Sequence, residues 1–271
     1  MNVLRAVLLL AAPVLAQPRT VISFALPEAP EPSQDTLAAA SEILDRLAGL
    51  PRGTVVGRGV GSVADAREAI RGAPAVAFLS LPLYLEAAAS DRRPRILRTP
   101  RRGGQTFERY EVVVRAGSPI ASVSDLAGKS LTGSLLWDDR FVKNVVLDSP
   151  GLSVELRPVR RPLDAVKAVK EGRADAMLLT GAESMALEGL VGKGELRSVF
   201  VSAPLPLPPI VGFSAAAAPG EAALVEALGK LCADPDGALL CEAFAIEGFA
   251  ATESAAYEEA LRRYERTPAA P

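Results

Sequence analysis

The sequence contains no histidine and only two cysteines among its 271 residues. Without histidine, the chain cannot form a Ser-His-Asp triad, a Cys-His pair, a His-ligated zinc site or a haem site with a proximal histidine. Two cysteines are too few for a four-thiolate zinc or iron–sulfur site. Lysine and arginine (30) nearly balance aspartate and glutamate (32), so no basic excess indicates nucleic-acid binding. We therefore expect no metal, no cofactor and no nucleic-acid partner.

The first sixteen residues have the pattern of a targeting segment. Arg5 supplies a positive charge, the apolar stretch 6–12 follows it, and the small residues Val14 and Ala16 occupy the positions of a cleavage site. The apolar stretch is shorter than the about 20 residues that cross a bilayer. The sequence predicts a signal peptide over residues 1–16 and an exported, periplasmic protein. The alternative is a buried N-terminal helix of a cytosolic protein.

The two cysteines, Cys232 and Cys241, flank a short segment in which Pro235 and Gly237 indicate a turn. Pairs of thiols tend to oxidise outside the cytosol. We predict a disulfide between them, with two buried free thiols as the alternative.

Strand and helix patterns alternate along most of the chain, which favours an α/β fold with largely parallel sheets. Two fully apolar runs, 75–79 and 176–179, have the composition of buried strands, and a helical segment is expected over 138–147. The hydroxyl residues Ser80 and Thr180 follow the two runs directly. Proteins with parallel sheets bind ligands at the carboxyl ends of the strands, so these positions are candidates for a binding site.

Several segments, taken in order, carry a resemblance to a known family. The run 112–131 contains a strand and then Asp-Leu-Ala-Gly-Lys, and it resembles the inter-lobe segment of type II periplasmic solute-binding proteins. The segments 75–87, 171–187, 202–215 and 245–264 are similar to the phosphate, phosphite and phosphonate-binding branch of that family. Together the resemblance covers nearly all of the chain after the predicted signal peptide.

The resemblance implies two α/β lobes joined by two crossover strands that close on a ligand. Lobe 1 would comprise residues 20–112 and 210–265, and lobe 2 residues 113–209. The crossings would lie near Glu108–Ala116 and Ala203–Phe213. The implied function is delivery of a small anionic ligand, phosphonate-like or phosphite-like, to the permease of an ABC importer. The protein would be a monomer and not an enzyme.

An oxyanion in such a cleft is bound by helix N-termini, backbone amides and hydroxyl groups. The candidate ligand-binding residues lie at or just after the predicted strands: Ser80, Tyr84, Ser134, Trp137, Thr180 and Glu183. The three hydroxyl residues can equally act as helix caps. Trp137, the single tryptophan, can equally pack between the lobes.

The turn 133–139 departs from the family pattern, because it has one hydroxyl and two acids where phosphonate binders carry several hydroxyls. Asp138, Asp139 and Glu183 would suit an amine, or they would cap helices. A second hypothesis is therefore a periplasmic sensor or accessory protein of the same fold, with a degenerate cleft, that binds a partner protein. A glycosidase is a third, but the acids form no pair that such chemistry needs.

Overall fold

The computed structural model describes residues 20–27, 32–187, 194–213, 220–251 and 253–267, so the predicted signal peptide 1–16 lies outside the described residues. The described strands are β1 (Thr20–Ala25), β2 (Val55–Gly59), β3 (Val76–Leu79), β4 (Arg95–Arg101), β5 (Phe107–Glu108), β6 (Glu111–Arg115), β7 (Ser130–Gly133), β8 (Glu155–Pro158), β9 (Ala176–Leu179), β10 (Leu196–Val201), β11 (Leu205–Pro206), β12 (Ile210–Gly212) and β13 (Gly248–Ala250). The described α-helices are α1 (Gln34–Ala48), α2 (Val63–Arg71), α3 (Leu81–Ala88), α4 (Pro162–Lys170), α5 (Gly181–Ala186), α6 (Glu221–Lys230), α7 (Pro235–Ala243) and α8 (Ser254–Tyr264).

The strands form two main sheets, which define two lobes. Lobe 1 contains a six-stranded sheet of order β13-β4-β12-β3-β1-β2, and lobe 2 a five-stranded sheet of order β10-β6-β9-β7-β8. Strands β3, β1 and β2 are parallel in lobe 1, as are β8, β7 and β9 in lobe 2. The remaining pairings within both sheets are antiparallel. Strands β3 and β9 are buried along their whole length, which confirms the interpretation of the two apolar runs.

Two short strands connect the lobes. Strand β5 leads from β4 of lobe 1 to β6 of lobe 2, and β11 leads back from β10 to β12. They pair with each other in an antiparallel ladder, with Leu205 opposite Glu108 and Pro206 opposite Phe107. We call this ladder the hinge. Two paired crossovers of this kind suit a rotation of one lobe against the other.

The apolar core is continuous across the lobe boundary. One cluster of buried side chains includes Leu79 and Leu85 of lobe 1 together with Val112, Leu131 and Phe141 of lobe 2. Two further clusters lie within single lobes. The lobes are therefore held together by buried apolar surface as well as by the hinge.

Helix α8 bridges the two lobes. Its Tyr257 packs edge-on against Tyr84 of α3, with ring centroids 5.3 Å apart. At its other end, the Tyr264 hydroxyl donates a hydrogen bond of 3.0 Å to the Asp138 carboxylate in lobe 2. The Asn144 side-chain amide donates to the Tyr264 carbonyl at 3.2 Å. The helix is thus fixed to both lobes.

The segment 138–147, which was expected to be helical, is helical over a shorter range, and its hydrogen bonds are not those of an α-helix. Residues Phe141–Val146 form a π-helix, in which the Leu147 amide donates to the Val142 carbonyl. The Asp138 carboxylate caps its start by accepting from the Phe141 amide at 2.9 Å. In the π-helical hydrogen-bond register, the Asn144 side chain faces the end of α8. The π-helix thus places Asn144 in the contact between the lobes.

The predicted disulfide is confirmed. Cys232 and Cys241 are bonded, with their Cα atoms 5.6 Å apart, and they tie the 3-10 turn Leu231–Ala233 to α7. Gly237 in α7 lies so close to this turn that a Cβ atom would fall 2.1 Å from the Leu231 carbonyl oxygen. Within the described ranges, every helix is too short or too polar to span a membrane.

Candidate functional site

A cavity of about 550 Å³ lies between the lobes. Its wall includes Leu26 and Leu81, which follow β1 and β3 in lobe 1. It also includes Leu135, Arg160 and Thr180, which follow β7, β8 and β9 in lobe 2. These are the carboxyl ends of the parallel strands in both sheets, where α/β proteins bind their ligands. The hinge residues complete the wall, so the cavity is the cleft that two moving lobes would close.

Most of the cavity wall is apolar. Beside proline rings, the wall presents aliphatic and aromatic side chains from both lobes: Leu26, Phe78, Leu81, Leu135, Phe244 and Ile246. The charged residues in the wall are Arg102, Glu108, Arg160, Arg161 and Glu183. Arg102 follows β4 of lobe 1, Glu108 lies in the hinge, and the other three belong to lobe 2.

Glu108 of β5 projects its carboxylate onto the start of α5. The carboxylate accepts hydrogen bonds from the backbone N–H groups of Gly181 and Ala182. A Cβ atom on Gly181 would lie 3.1 Å from the Glu108 Oε2 atom, so glycine permits this close approach. Arg102 adds an ion pair, with its Nη1 atom 3.3 Å from Oε2. A carboxylate of the protein itself thus occupies the backbone donors at this helix start.

Burial raises the pKa of Glu108 above its ordinary value. The Arg102 guanidinium and the two backbone amides oppose this shift, whereas the nearby Glu183 carboxylate adds to it. The balance falls on the side of burial, so the proton is held more tightly than in a solvated glutamic acid.

Ser134, Thr180 and Glu183 form one hydrogen-bonded group. The Ser134 hydroxyl donates to Glu183 Oε1 at 2.7 Å, and the Thr180 backbone amide donates to Glu183 Oε2 at 2.8 Å. In return, the Glu183 amide donates to the Thr180 hydroxyl at 3.1 Å, which completes a capping box. Thr180 and Glu183 line the cavity, and Ser134 lies one contact behind them. The structure therefore brings together all three predicted residues of lobe 2 that follow β7 and β9.

Ser80 and Tyr84 do not belong to the cavity wall. Ser80 is fully buried at the start of α3, and within the described part of the chain its hydroxyl has no hydrogen-bond partner. The next residues, Leu81 and Pro82, do line the cavity. Tyr84 packs against Tyr257 of α8, and burial raises its pKa to about 12.

Trp137 also lies outside the cavity wall, at the boundary between the lobes. The guanidinium carbon of Arg67, from α2 of lobe 1, is 5.7 Å from the centroid of the Trp137 ring. Arg67 is fixed in turn by two hydrogen bonds from its Nε atom to Glu86, the shorter of 2.8 Å. The Trp137 Nε1 atom is buried without a partner among the described residues. Contact of Ser80, Tyr84 and Trp137 with a ligand stays a prediction.

Sequence reasoning missed Arg102, Glu108 and the pair Arg160–Arg161. Arg161 is bound to Asp164 at 2.9 Å, and Arg102 is paired with Glu108. Among the described residues, Arg160 makes no hydrogen bond or ion pair. The position of Arg160 directly after a parallel strand is the same signal that identified Thr180. Glu108 has no such signal, because it reaches the site from a crossover strand.

The sequence left two roles open for Asp138 and Asp139, either binding an amine or capping a helix. In the structure both carboxylates contact other residues of the protein. Asp138 caps the π-helix and accepts from Tyr264, and burial raises its pKa. Asp139 pairs with Lys143 at 2.7 Å. No group of three or more cysteines, aspartates or glutamates in the described ranges is arranged to hold a metal ion.

Comparison with solved structures identifies proteins of the same fold. XAC2383 from Xanthomonas citri, bound to ATP, is 19% identical with a TM-score of 0.69, over 90% of this chain and 96% of that one. A binding protein component of an ABC phosphonate transporter from Pseudomonas aeruginosa is 14% identical with a TM-score of 0.67, over 92% and 86%. PhnD1 from Prochlorococcus marinus, in complex with methylphosphonate, is 14% identical with a TM-score of 0.65, over 90% and 97%.

These similarities confirm the two-lobed type II periplasmic binding protein fold. A search of curated proteins found no match. The family model of the periplasmic substrate-binding protein of phosphonate ABC transporters matches residues 29–257. Its members are components of transporters and not enzymes. The match spans most of the sequence, and the chain therefore belongs to the family of periplasmic substrate-binding proteins of phosphonate ABC transporters.

Proposed function

We propose that this protein binds a small organic anion in the cavity between its lobes and delivers it to the permease of an ABC importer. The position of the cavity carries this proposal: it lies at the carboxyl ends of the parallel strands of both sheets, beside a two-strand hinge. Membership of the phosphonate-binding family supports an anionic ligand, as does the methylphosphonate bound to PhnD1. The protein would reach the periplasm through the signal peptide 1–16 and act as a monomer.

On the lobe 2 side, Arg160 is the proposed partner of the anion. It lines the cavity and has no partner of its own among the described residues. Thr180 and Glu183 form the adjacent wall, and Ser134 fixes the Glu183 carboxylate. Ser80, Tyr84 and Trp137 remain proposed contacts that require the lobes to move, since none of them lines the cavity in this conformation.

The test is calorimetric titration of protein that has been unfolded and refolded to remove any bound molecule. Titrants are phosphite, phosphate, methylphosphonate and butylphosphonate. We expect at least one to bind, and Ala182→Leu to weaken that binding because the larger side chain fills part of the cavity. Ala186→Leu is the matched control, because Ala186 lies on the same helix away from the cavity wall. Binding that is identical in wild type and A182L would contradict the placement of the site.

A second function, binding of a partner protein with a degenerate cleft, is favoured by one observation. The backbone donors at the start of α5 are taken by Glu108, the Ser134 hydroxyl donates to the Glu183 carboxylate, and the Thr180 hydroxyl accepts from the Glu183 amide. If no anion binds, and native mass spectrometry finds no small molecule on protein purified without unfolding, this second function replaces the first.

A further inference from the structure

We propose that the cavity is shaped for an elongated organic anion, whose apolar body lies against lobe 1 and whose single anionic group faces Arg160. This inference rests on the proposed function, because it takes the cavity to be the ligand site. Such a site would recognise a larger and more apolar ligand with one negative charge, whereas a phosphate-like site recognises a compact anion with two.

Four donors at or near the start of α5 that could recognise a compact dianion are already occupied. The Glu108 carboxylate accepts from the Gly181 and Ala182 amides, and Glu183 accepts from Ser134 and the Thr180 amide. A dianion at this position would have to displace Glu108 from these amides, and it would lie beside the Glu183 carboxylate. Like charges at short range in a partly desolvated cleft repel each other strongly. The start of α5 therefore disfavours a second negative charge.

The free positive charge in the cavity wall amounts to one guanidinium. Arg102 is paired with Glu108 and Arg161 with Asp164. That leaves Arg160, which is exposed at the cavity edge and has no partner among the described residues. One unpaired guanidinium matches one anionic group on a ligand.

The rest of the wall suits an apolar body. The volume of about 550 Å³ falls within the range of about 300–1,000 Å³ that holds drug-sized organic molecules. Phe78, Phe244 and Ile246 line this cavity and also line a second cavity of about 40 Å³ inside lobe 1, whose wall has no polar surface. Empty apolar cavities stay dry and bind apolar groups. An alkyl or aryl group therefore gains contact as it extends toward these three side chains.

The experiment is a calorimetric titration of the refolded full-length protein with the series methyl-, butyl-, hexyl- and octylsulfonate, which all carry one charge. Each methylene that enters the cavity should lower Kd about fourfold, so butylsulfonate should bind about 60-fold more tightly than methylsulfonate. Arg160→Gln should raise Kd by a similar factor for every member, because it removes the contact with the shared head group. Arg58→Gln, an exposed arginine away from the cavity, should change nothing.

Two variants test where the alkyl group of the ligand binds. Ala182→Leu should reduce the gain per methylene, because it takes up space in the cavity, whereas Ala186→Leu should leave the gain intact. A chain-length gain that is the same in A182L would show that the alkyl group binds elsewhere, and this inference would be wrong. If methylphosphonate binds but Kd does not fall along the sulfonate series, the proposed function stands and this inference fails. If neither the sulfonates nor the phosphonates bind, both fail.

Discussion

Glu108 is the side chain on which the proposed ligand preference depends most. It lies on the hinge strand β5 and sends its carboxylate to backbone donors of lobe 2. The charged form gains from these donors and from Arg102, but burial costs more, and the pKa is raised. The carboxylate that occupies the backbone donors of α5 therefore also has a shifted pKa in the folded protein.

Glu108→Gln should change how stability depends on pH. Because the pKa of Glu108 is higher in the folded protein than its ordinary value of 4.5, the folded state holds this proton more tightly than the unfolded state. Its contribution to stability is complete below the ordinary value and is lost as the pH rises through the raised pKa. Urea unfolding at a series of pH values measures this effect. We expect the wild type to lose stability relative to E108Q as the pH rises above 4.5.

The exposed Glu242→Gln serves as the control for the loss of one carboxylate, and E108Q should change the pH dependence more than E242Q does. Asp138, whose pKa is also raised, titrates in all three proteins, so its effect cancels in the comparison. A difference between the wild type and E108Q that stays constant with pH would contradict a raised pKa for Glu108.

Sequence reasoning reached part of the site at the residue scale. Thr180 and Glu183 could be predicted because a hydroxyl and an acid three residues apart at a helix start form a recognisable pair. Glu108 could not, because its contact with Gly181 depends on how two distant segments pack. Trp137 was ambiguous for the same reason: the sequence does not reveal that Arg67 of lobe 1 stacks on it.

Among the elements, the disulfide between Cys232 and Cys241 restrains the turn before α7. Replacing both cysteines by serine should lower the free energy of unfolding by about 2–3 kcal/mol, because the unfolded chain regains the entropy of a short closed loop. Urea unfolding without reductant measures the difference. Reductant should destabilise the wild type and leave the serine variant unchanged. Equal stability of the two proteins without reductant would be inconsistent with this role.

Helix α8 joins the lobes through Tyr264, whose hydroxyl donates to the buried Asp138 carboxylate. Tyr264→Phe removes this donor and should cost about 1–3 kcal/mol in the free energy of unfolding. Tyr84→Phe is a matched control, because the structure shows no hydrogen bond from the Tyr84 hydroxyl among the described residues, and it should cost less. Chemical denaturation of the three proteins gives the comparison. If both variants lose the same free energy of unfolding, the hydrogen bond to Asp138 does not explain the effect of Tyr264→Phe.

Elements could be predicted where composition alone defines them. The buried strands β3 and β9 are entirely apolar, and that pattern is visible in the sequence. The π-helix Phe141–Val146 could not be predicted, because a shift of the hydrogen-bond register by one residue leaves no periodic signature. That α8 would bridge the lobes also depends on tertiary contacts.

For the whole molecule, the continuous apolar cluster and α8 connect the two lobes, and the cavity lies beside the hinge. The ordered family motifs predicted the two-lobed fold, but the motifs do not reveal which side chains pack across the lobe boundary. We expect ligand binding to reduce the radius of gyration in small-angle X-ray scattering, because closure expels water from the cavity. The same measurement on A182L under the same ligand concentration should show less compaction. Identical scattering with and without a saturating ligand would contradict closure.

The central claim is that the cavity between the lobes is the ligand site and that it recognises an anion without using the backbone donors of α5. The crystal structure of the complex with octylsulfonate tests this claim most directly. We expect the alkyl chain between Leu81 and Ile246, the sulfonate at Arg160, and Glu108 still bound to the Gly181 and Ala182 amides. A sulfonate bound to those two amides with Glu108 displaced, or a ligand outside the cavity, would contradict it.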